Sequence, residues 1–247
     1  MTEQKIPSKT AAMVSVVLPA YNEANRIEVA VAKISQTLKE DGYPYEIIIA
    51  EDGSTDGTAE EAEELAQKYS YVRHIHGEKR LGRGTALKNA FRQCNGEVFV
   101  YMDLDLSTDL KSLKPLIDAI TVEGYDFATG SRMLPESRVE RTLRRSISSK
   151  SYNFLVRHML SSKVMDHQCG FKAFRREAVL SLLGEVGATH WFWDTEILVR
   201  AHRRGFKIKE IPVEWTSGKG TKVSLAKDSW RMFWEVTNLW WKLKTKG

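Results

Sequence analysis

Val98-Phe-Val-Tyr-Met102 runs without a polar break straight into Asp103-Leu-Asp105, and no other stretch constrains the chain more. A short, almost wholly apolar run reads as a buried strand, so the two carboxylates fall at its C-terminal mouth. In open α/β sheets, ligands bind at that mouth. Residues i and i+2 of an extended backbone point the same way, so Asp103 and Asp105 can face one hard cation. Taken alone, Asp-x-Asp reads equally well as a strand ending in a solvated acidic turn.

The flanking sequence repeats this layout. Val14-Ser-Val-Val-Leu18 is an apolar strand stopped by Pro19, and Ile27, Val31, Ile34 and Leu38 give residues 25–39 the period of a helix capped by Asn25. Strands are predicted at 46–50 and 72–76, each followed by a helix (to 69, then 82–94). After the acidic strand come a helix at 111–122 and a strand at 127–131. Such alternation predicts an α/β fold over 13–131, a parallel sheet with helices on both faces. Beyond it the pattern loosens. A basic helix is expected over 138–159, no element over the mixed stretch 166–175, a helix at 193–204 and a strand at 207–215. A last helix, 227–244, carries Trp230, Phe233, Trp234, Thr237 and Trp241 on one face.

Three loops then share one sheet edge: Pro19-Ala-Tyr-Asn-Glu23, Asp52-Gly-Ser-Thr-Asp56 and Asp103-Leu-Asp105. Together they offer a ring to stack on (Tyr21), carboxylates for imino and ribose hydroxyl donors (Glu23, Asp52) and a metal pair, which make a nucleotide pocket. Asp56 is better explained as a helix cap. Lys79-Arg-Leu-Gly-Arg-Gly84 opens the third helix with free amides beside Arg83, which suits a phosphate and suits a solvated basic turn equally. Gly130-Ser-Arg132 ends a strand at the same edge, and the planar guanidinium of Arg132 is the better candidate to grip a diphosphate.

Residues 132–163 hold eight Lys/Arg against two Glu, so a net charge of +5 is concentrated there and calls for an anionic partner. Nucleic acid fits poorly, because no recognised binding motif accompanies the charge. Two cysteines, Cys94 and Cys169, make no disulfide framework and imply a reducing, cytoplasmic setting. No signal peptide or spanning segment is expected. The basic helix and the tryptophans suit a peripheral position at the cytosolic face of a membrane. Trp230 and Phe233 are expected to pack on the core, Trp240 and Trp241 on the membrane.

In order along the chain, Pro19-Ala-Tyr-Asn-Glu23, Glu51-Asp-Gly-Ser-Thr-Asp-Gly-Thr58, Leu81-Gly-Arg-Gly84, Asp103-Leu-Asp-Leu-Ser107 and Gly130-Ser-Arg132 resemble the donor-side motifs of family 2 glycosyltransferases of the GT-A fold. Gln168-Cys-Gly-Phe-Lys172, Trp191-Phe-Trp-Asp194-Thr-Glu196, Glu210-Ile-Pro-Val-Glu-Trp-Thr216 and Gly220-Thr-Lys222 resemble those of the dolichyl-phosphate sugar synthases, leaning to the glucosyl branch. The resemblance implies a GT-A domain over 1–225, with a donor half at 13–132 and an acceptor half at 133–225, followed by an amphipathic, membrane-surface helix at 226–247. It implies that Pro19, Tyr21, Glu23, Ala50 and Asp52 hold the nucleoside. Asp103 and Asp105 would bind Mg2+ or Mn2+ across the donor diphosphate, with Leu104 in backbone contact. Arg83, Arg132 and Lys222 would meet phosphates, and Lys172, Asp194 and Glu196 would lie near sugar and acceptor. The chain departs from many members in carrying Glu51-Asp52 for Asp-Asp and in lacking transmembrane helices.

The expected reaction is an inverting, metal-dependent transfer of a sugar, first of all glucose from UDP-glucose, to a polyprenyl or dolichyl phosphate. A lipid phosphate is already anionic and needs no strong base. A saccharide or protein hydroxyl acceptor would need one, with Asp194 or Glu196 as suspect. A sugar-nucleotide pyrophosphorylase and a non-catalytic nucleotide-binding membrane adaptor are the readings from other classes.

Overall fold

The computed structural model describes residues 12–216 and 225–245, with the backbone alone over 225–230. Its strands are β1 (Val14–Ala20), β2 (Tyr45–Glu51), β3 (Val72–Ile75), β4 (Val98–Met102), β5 (Phe127–Ser131), β6 (Arg138–Glu140), β7 (Phe171–Arg175), β8 (Ile208–Pro212) and β9 (Glu214–Thr216). Seven form one sheet in the order β3-β2-β1-β4-β7-β5-β8, while β6 and β9 pair separately. Within the main sheet β7 alone runs antiparallel to its neighbours.

Alternation along β4 explains why the sheet is covered twice. Val98, Val100 and Met102 join one apolar cluster with α1 (Ile27–Glu40), α2 (Thr58–Lys68) and α4 (Leu113–Thr121). Phe99 and Tyr101 face the other way, into a cluster with α3 (Arg83–Phe91), α6 (Arg176–Leu182) and α7 (Trp193–Arg203). A smaller cluster, including Val156, Leu160, Val236 and Leu239, joins α5 (Leu143–Leu160) to α8 (Leu225–Thr245).

The structure departs from the sequence reading at five places. Pro19 does not stop β1, which continues to Ala20. The Ala20 carbonyl accepts from the Asp52 amide on the β2 side at 3.0 Å, so Pro19 faces β4, whose ladder has ended at Val17–Tyr101. No partner there misses its N–H. Asn25 does not cap α1; it has a left-handed backbone, φ 53° being that of Asn22 and 69° its own. The amides of Asn25, before α1, and of Glu28, in its first turn, are instead accepted by the Glu61 carboxylate of α2, at 2.8 and 3.3 Å. Residues 166–175, left without an element, contain β7. The strand 207–215 breaks at Val213 into β8 and β9, which belong to different sheets. Likewise 138–140 is strand, and the basic helix begins only at Leu143.

Candidate active site

β4 stops at Met102, and Leu104 and Asp105 form a turn, so the extended i, i+2 geometry does not carry the acidic pair. Asp103 and Asp105 nevertheless line the same cavity, of about 620 Å³, together with Arg132, Gln168, Gly170 and Trp191. Gly170 makes this possible. A Cβ there would lie 2.0 Å from Asp103 Oδ2, so only glycine lets β7 approach this carboxylate, and the Gly170 carbonyl accepts the Asp103 amide at 3.0 Å. Asp105 is more exposed, and its Oδ1 accepts from the Ser107 amide at 3.0 Å.

Asp103 is 37% exposed, toward the cavity, and crowded elsewhere. Desolvation raises its pKa, Asp105 and Asp194 push the same way, and Arg83 opposes them. Arg83 Nη2 hydrogen-bonds Asp103 Oδ1. Its guanidinium lies between the Tyr101 and Trp191 rings, 4.9 and 4.5 Å from their centroids. Burial works against the Arg83 charge, but Asp103 and Asp194 hold its pKa above the ordinary value. Its Nε is buried without a hydrogen-bond partner. A cluster of carboxylates whose repulsion raises a pKa, offering hard oxygen donors into a cavity, fits a divalent cation such as Mg2+ or Mn2+.

Arg132 lines the cavity while gripping Asp166, from Nε at 2.7 Å and Nη2 at 2.9 Å. Burial works against the Asp166 charge, yet the Arg132 guanidinium holds that carboxyl well below its usual range. Arg141, Arg145 and Arg231 line the same cavity. Burial lowers the Arg141 pKa and Arg132 repels it further, the mark of cations gathered to meet an anion. The apolar wall comes from Phe154 and Leu155 of α5, Trp191, and Met232 and Phe233 of α8. Glu235 completes it; its pKa is raised by burial, against Arg231.

Of the remaining expected residues, none with a described side chain lines this cavity. Pro19 and Ala50 are neighbours at the ends of β1 and β2. Arg80 stacks on Tyr21, 3.8 Å from the ring centroid, and Glu23 accepts from Arg26 at 2.9 Å. Asp52 accepts from the Leu81 and Gly82 amides, each at 2.8 Å, and the Gly84 amide goes to the Thr189 carbonyl at 2.8 Å. The start of α3 therefore does not present the free amides expected of a phosphate cradle. Leu104 is buried in the core. Lys172 is fully buried, its Nζ donating to Asp194 Oδ1 at 2.5 Å and to the Cys169 carbonyl. Asp194 also accepts from the Tyr101 hydroxyl at 3.3 Å. Glu196 holds the Gly187 and Ala188 amides at 3.0 and 2.7 Å and pairs with Arg200 at 2.7 Å. None of these last three lines the cavity. Lys222 and the Trp230 side chain lie outside the described residues.

Sequence reasoning did not single out Asp166, Gly170 as the seat of Asp103, or the cavity wall from α5 and α8. The quoted Gln168-Cys-Gly-Phe-Lys172 motif was the signal for Gly170. Asp166 and Arg132 meet across 34 positions with no local sign.

Two carboxylates at the mouth of a central strand lie under a basic and apolar cavity, in a fold shared with glycosyltransferases of the GT-A type. Residues 15–183 match the family described as Glycosyl transferase family 2, and the chain belongs to that family. It is 46% identical to "Glycosyltransferase AglD" of Haloferax volcanii over 99% of this chain and 40% of that protein. It is 32% identical to the "Dolichyl-phosphate beta-glucosyltransferase" of Saccharomyces cerevisiae, over 88% of this chain and 71% of that one. The chain thus spans under half of the archaeal relative it matches. The fold superposes with a TM-score of 0.67 on glucosyl-3-phosphoglycerate synthase from Mycobacterium tuberculosis in complex with UDP, at 23% identity, covering 92% of this chain and 79% of that one. A structure of that same synthase holds Mn2+, UDP and glucosyl-3-phosphoglycerate.

Proposed function

We propose that the chain moves glucose from UDP-glucose to a polyprenyl or dolichyl phosphate, with inversion at the anomeric carbon. The observation that carries this is the cavity itself: Arg132, Arg141, Arg145 and Arg231 converge beside Asp103 and Asp105, within an apolar wall. A lipid phosphate needs both chemistries, guanidinium forks for its head and an apolar surface for its chain. That surface continues from Phe154 of the cavity wall along α5, where exposed Leu143 and Ile147 fall within about 40° of the same helical face. Trp234 and Trp241 of α8 are also exposed, on the face opposite buried Val236 and Leu239, whereas Trp240 is partly buried against them. Phe233 is exposed and lines the cavity rather than the core. Among the described residues no helix is long and apolar enough to cross a membrane. This surface supports a peripheral position on one, and the cytosolic face is the side proposed.

Asp103 and Asp105 would hold Mg2+ or Mn2+, which when bound offsets the charge growing on the departing diphosphate. Arg83, with its unpartnered Nε, would turn from Asp103 to a diphosphate oxygen. The nucleoside would lie along the ends of β1 and β2, among Pro19, Tyr21, Glu23, Ala50 and Asp52. The donor half is then 13–132 and the acceptor half 133–225. An acceptor phosphate oxygen is anionic near neutral pH, so positioning and electrostatics carry the transfer without a strong base. The engagement of Asp194 by Lys172, and of Glu196 by Arg200 and two amides, supports positioning roles for both.

The test is to incubate the protein with radiolabelled UDP-glucose and a short polyprenyl phosphate, then identify the product by mass spectrometry. The expected product is a glucosyl polyprenyl phosphate, with Arg141→Ala raising KM for the lipid. Label appearing only on a saccharide or protein hydroxyl would refute the reading.

A further inference from the structure

β3 is the edge strand of the main sheet, and its register on β2 sets Ile49 beside His74 and Ala50 beside Ile75. Continuing that register sets Glu51 beside His76. The strand period of two then puts Glu51, His74 and His76 on one face, the face that α2 covers. Each offers a ligand atom, and the three atoms lie within 4.8 Å of one another. His76 Nδ1 is 2.6 Å from Glu51 Oε2, and His74 Nδ1 is 3.1 Å from Glu63 Oε2 on α2. Ordinary ion pairing accounts for both contacts but not for His74 Nε2. That side chain is 6% exposed, and its Nε2 is buried with no hydrogen-bond partner. Buried polar atoms are rarely left so. A metal-ligating histidine gives one ring N–H to a carboxylate, which fixes its tautomer and orientation, and coordinates through the other nitrogen. His74 meets the carboxylate condition through Nδ1 and Glu63, which leaves its unpartnered Nε2 as the nitrogen free to coordinate.

We propose that Glu51, His74 and His76 form a second metal site, for a divalent ion of the Zn2+ class, distinct from the Asp103–Asp105 pair. Two imidazoles and one carboxylate suit Zn2+, whereas Mg2+ keeps to oxygen ligands. In the order β3-β2-β1-β4, Glu51 stands two strand spacings and the histidines three from the strand that carries Asp103, about 10–14 Å. The ion joins the edge strand to the end of β2, next to Asp52, which holds the Leu81 and Gly82 amides. It therefore clamps the base of the loop that carries Arg80 and leads into α3 at Arg83, and plays no part in the transfer itself. The proposal does not depend on the identity of donor or acceptor.

The test is equilibrium dialysis of metal-stripped protein against micromolar Zn2+ with excess Mg2+, followed by counting bound zinc by mass spectrometry. One Zn2+ per chain is expected in the wild type and in Asp103→Ala/Asp105→Ala. None is expected in His76→Ala, whose side chain is 52% exposed and whose loss leaves the core intact. His74→Gln, checked by circular dichroism for folding, is the second variant and should also lose the ion. Zn2+ should raise the melting temperature of the wild type and leave that of His76→Ala unmoved. The proposal is overturned if the wild type retains no zinc, if both histidine variants retain it fully, or if the Asp103→Ala/Asp105→Ala variant loses it instead.

Discussion

Replacing Lys172 by Met isolates the ion pair on which the candidate site rests. Lys172 stands in β7 between Tyr101 of β4 and Thr129 of β5, fully buried, with its Nζ shared by Asp194 and the Cys169 carbonyl. Methionine keeps much of the stem but leaves the Asp194 carboxylate with the Tyr101 hydroxyl, at 3.3 Å, and Arg83 as a neighbouring charge in place of its direct ion pair. Removing one partner of a buried pair costs about 3–5 kcal/mol, because the other charge stays buried and uncompensated. At roughly 2–4 °C per kcal/mol for a domain of this size, the melting temperature should fall by about 6–20 °C. Lys172→Met/Asp194→Leu should recover most of that loss, since an apolar replacement of both partners removes the stranded charge. Thermal unfolding followed by circular dichroism at neutral pH measures all three proteins. A single variant that melts with the wild type, or a double variant no better than the single, would refute the reasoning. Glycosyl transfer by the rescued double variant then separates a positioning role from a direct one.

Gly170→Ala should act on the acidic pair without altering its chemistry. The new Cβ would meet Asp103 Oδ2 at 2.0 Å, and displacing that carboxylate by about 1 Å should lower transfer on the order of a hundredfold. Overpacking should cost about 1–3 kcal/mol, read from denaturant unfolding. Acid should weaken the protein through His167, which bonds Asn153 and Ser162 at 2.9 Å each and whose pKa burial pushes down to about 3. The unfolded chain takes up this proton near its ordinary value of 6.5 and the folded chain does not, so the stability is complete above 6.5 and falls as pH drops toward 3. At pH 5, about 1.5 units below that value, the loss is about 2 kcal/mol, and His167→Gln should remove that part of the slope in urea titrations at successive pH values.

How much was legible follows from the range of each signal. β2 and β4 are built on unbroken apolar runs, Ser15 alone interrupts that of β1, and their helices carry a clear period, so the donor half could be read locally. β7 could not. Lys172 interrupts its apolar run and is tolerated only because Asp194, 22 positions away, neutralises it inside the protein. The split between β8 and β9 follows directly on Pro212, a local sign of a break within the stretch read as one strand. The Asn25 cap failed because Glu61 does its work from another helix. In the site, Asp103 and Asp105 were found by their strand, although they meet through a turn and not an extended backbone. Arg132 was found without its partner Asp166. The amides of Gly82 and Gly84 looked free because Asp52 and Thr189 come to them from distant segments.

The most direct test of the account is UDP binding by calorimetry, with and without Mn2+, in the wild type and in Asp103→Ala/Asp105→Ala. Mn2+ should tighten binding to the wild type by about tenfold or more, roughly 1.4 kcal/mol, and leave the variant unchanged. Equal tightening in both proteins would contradict the placement of a donor-bound cation on these two carboxylates.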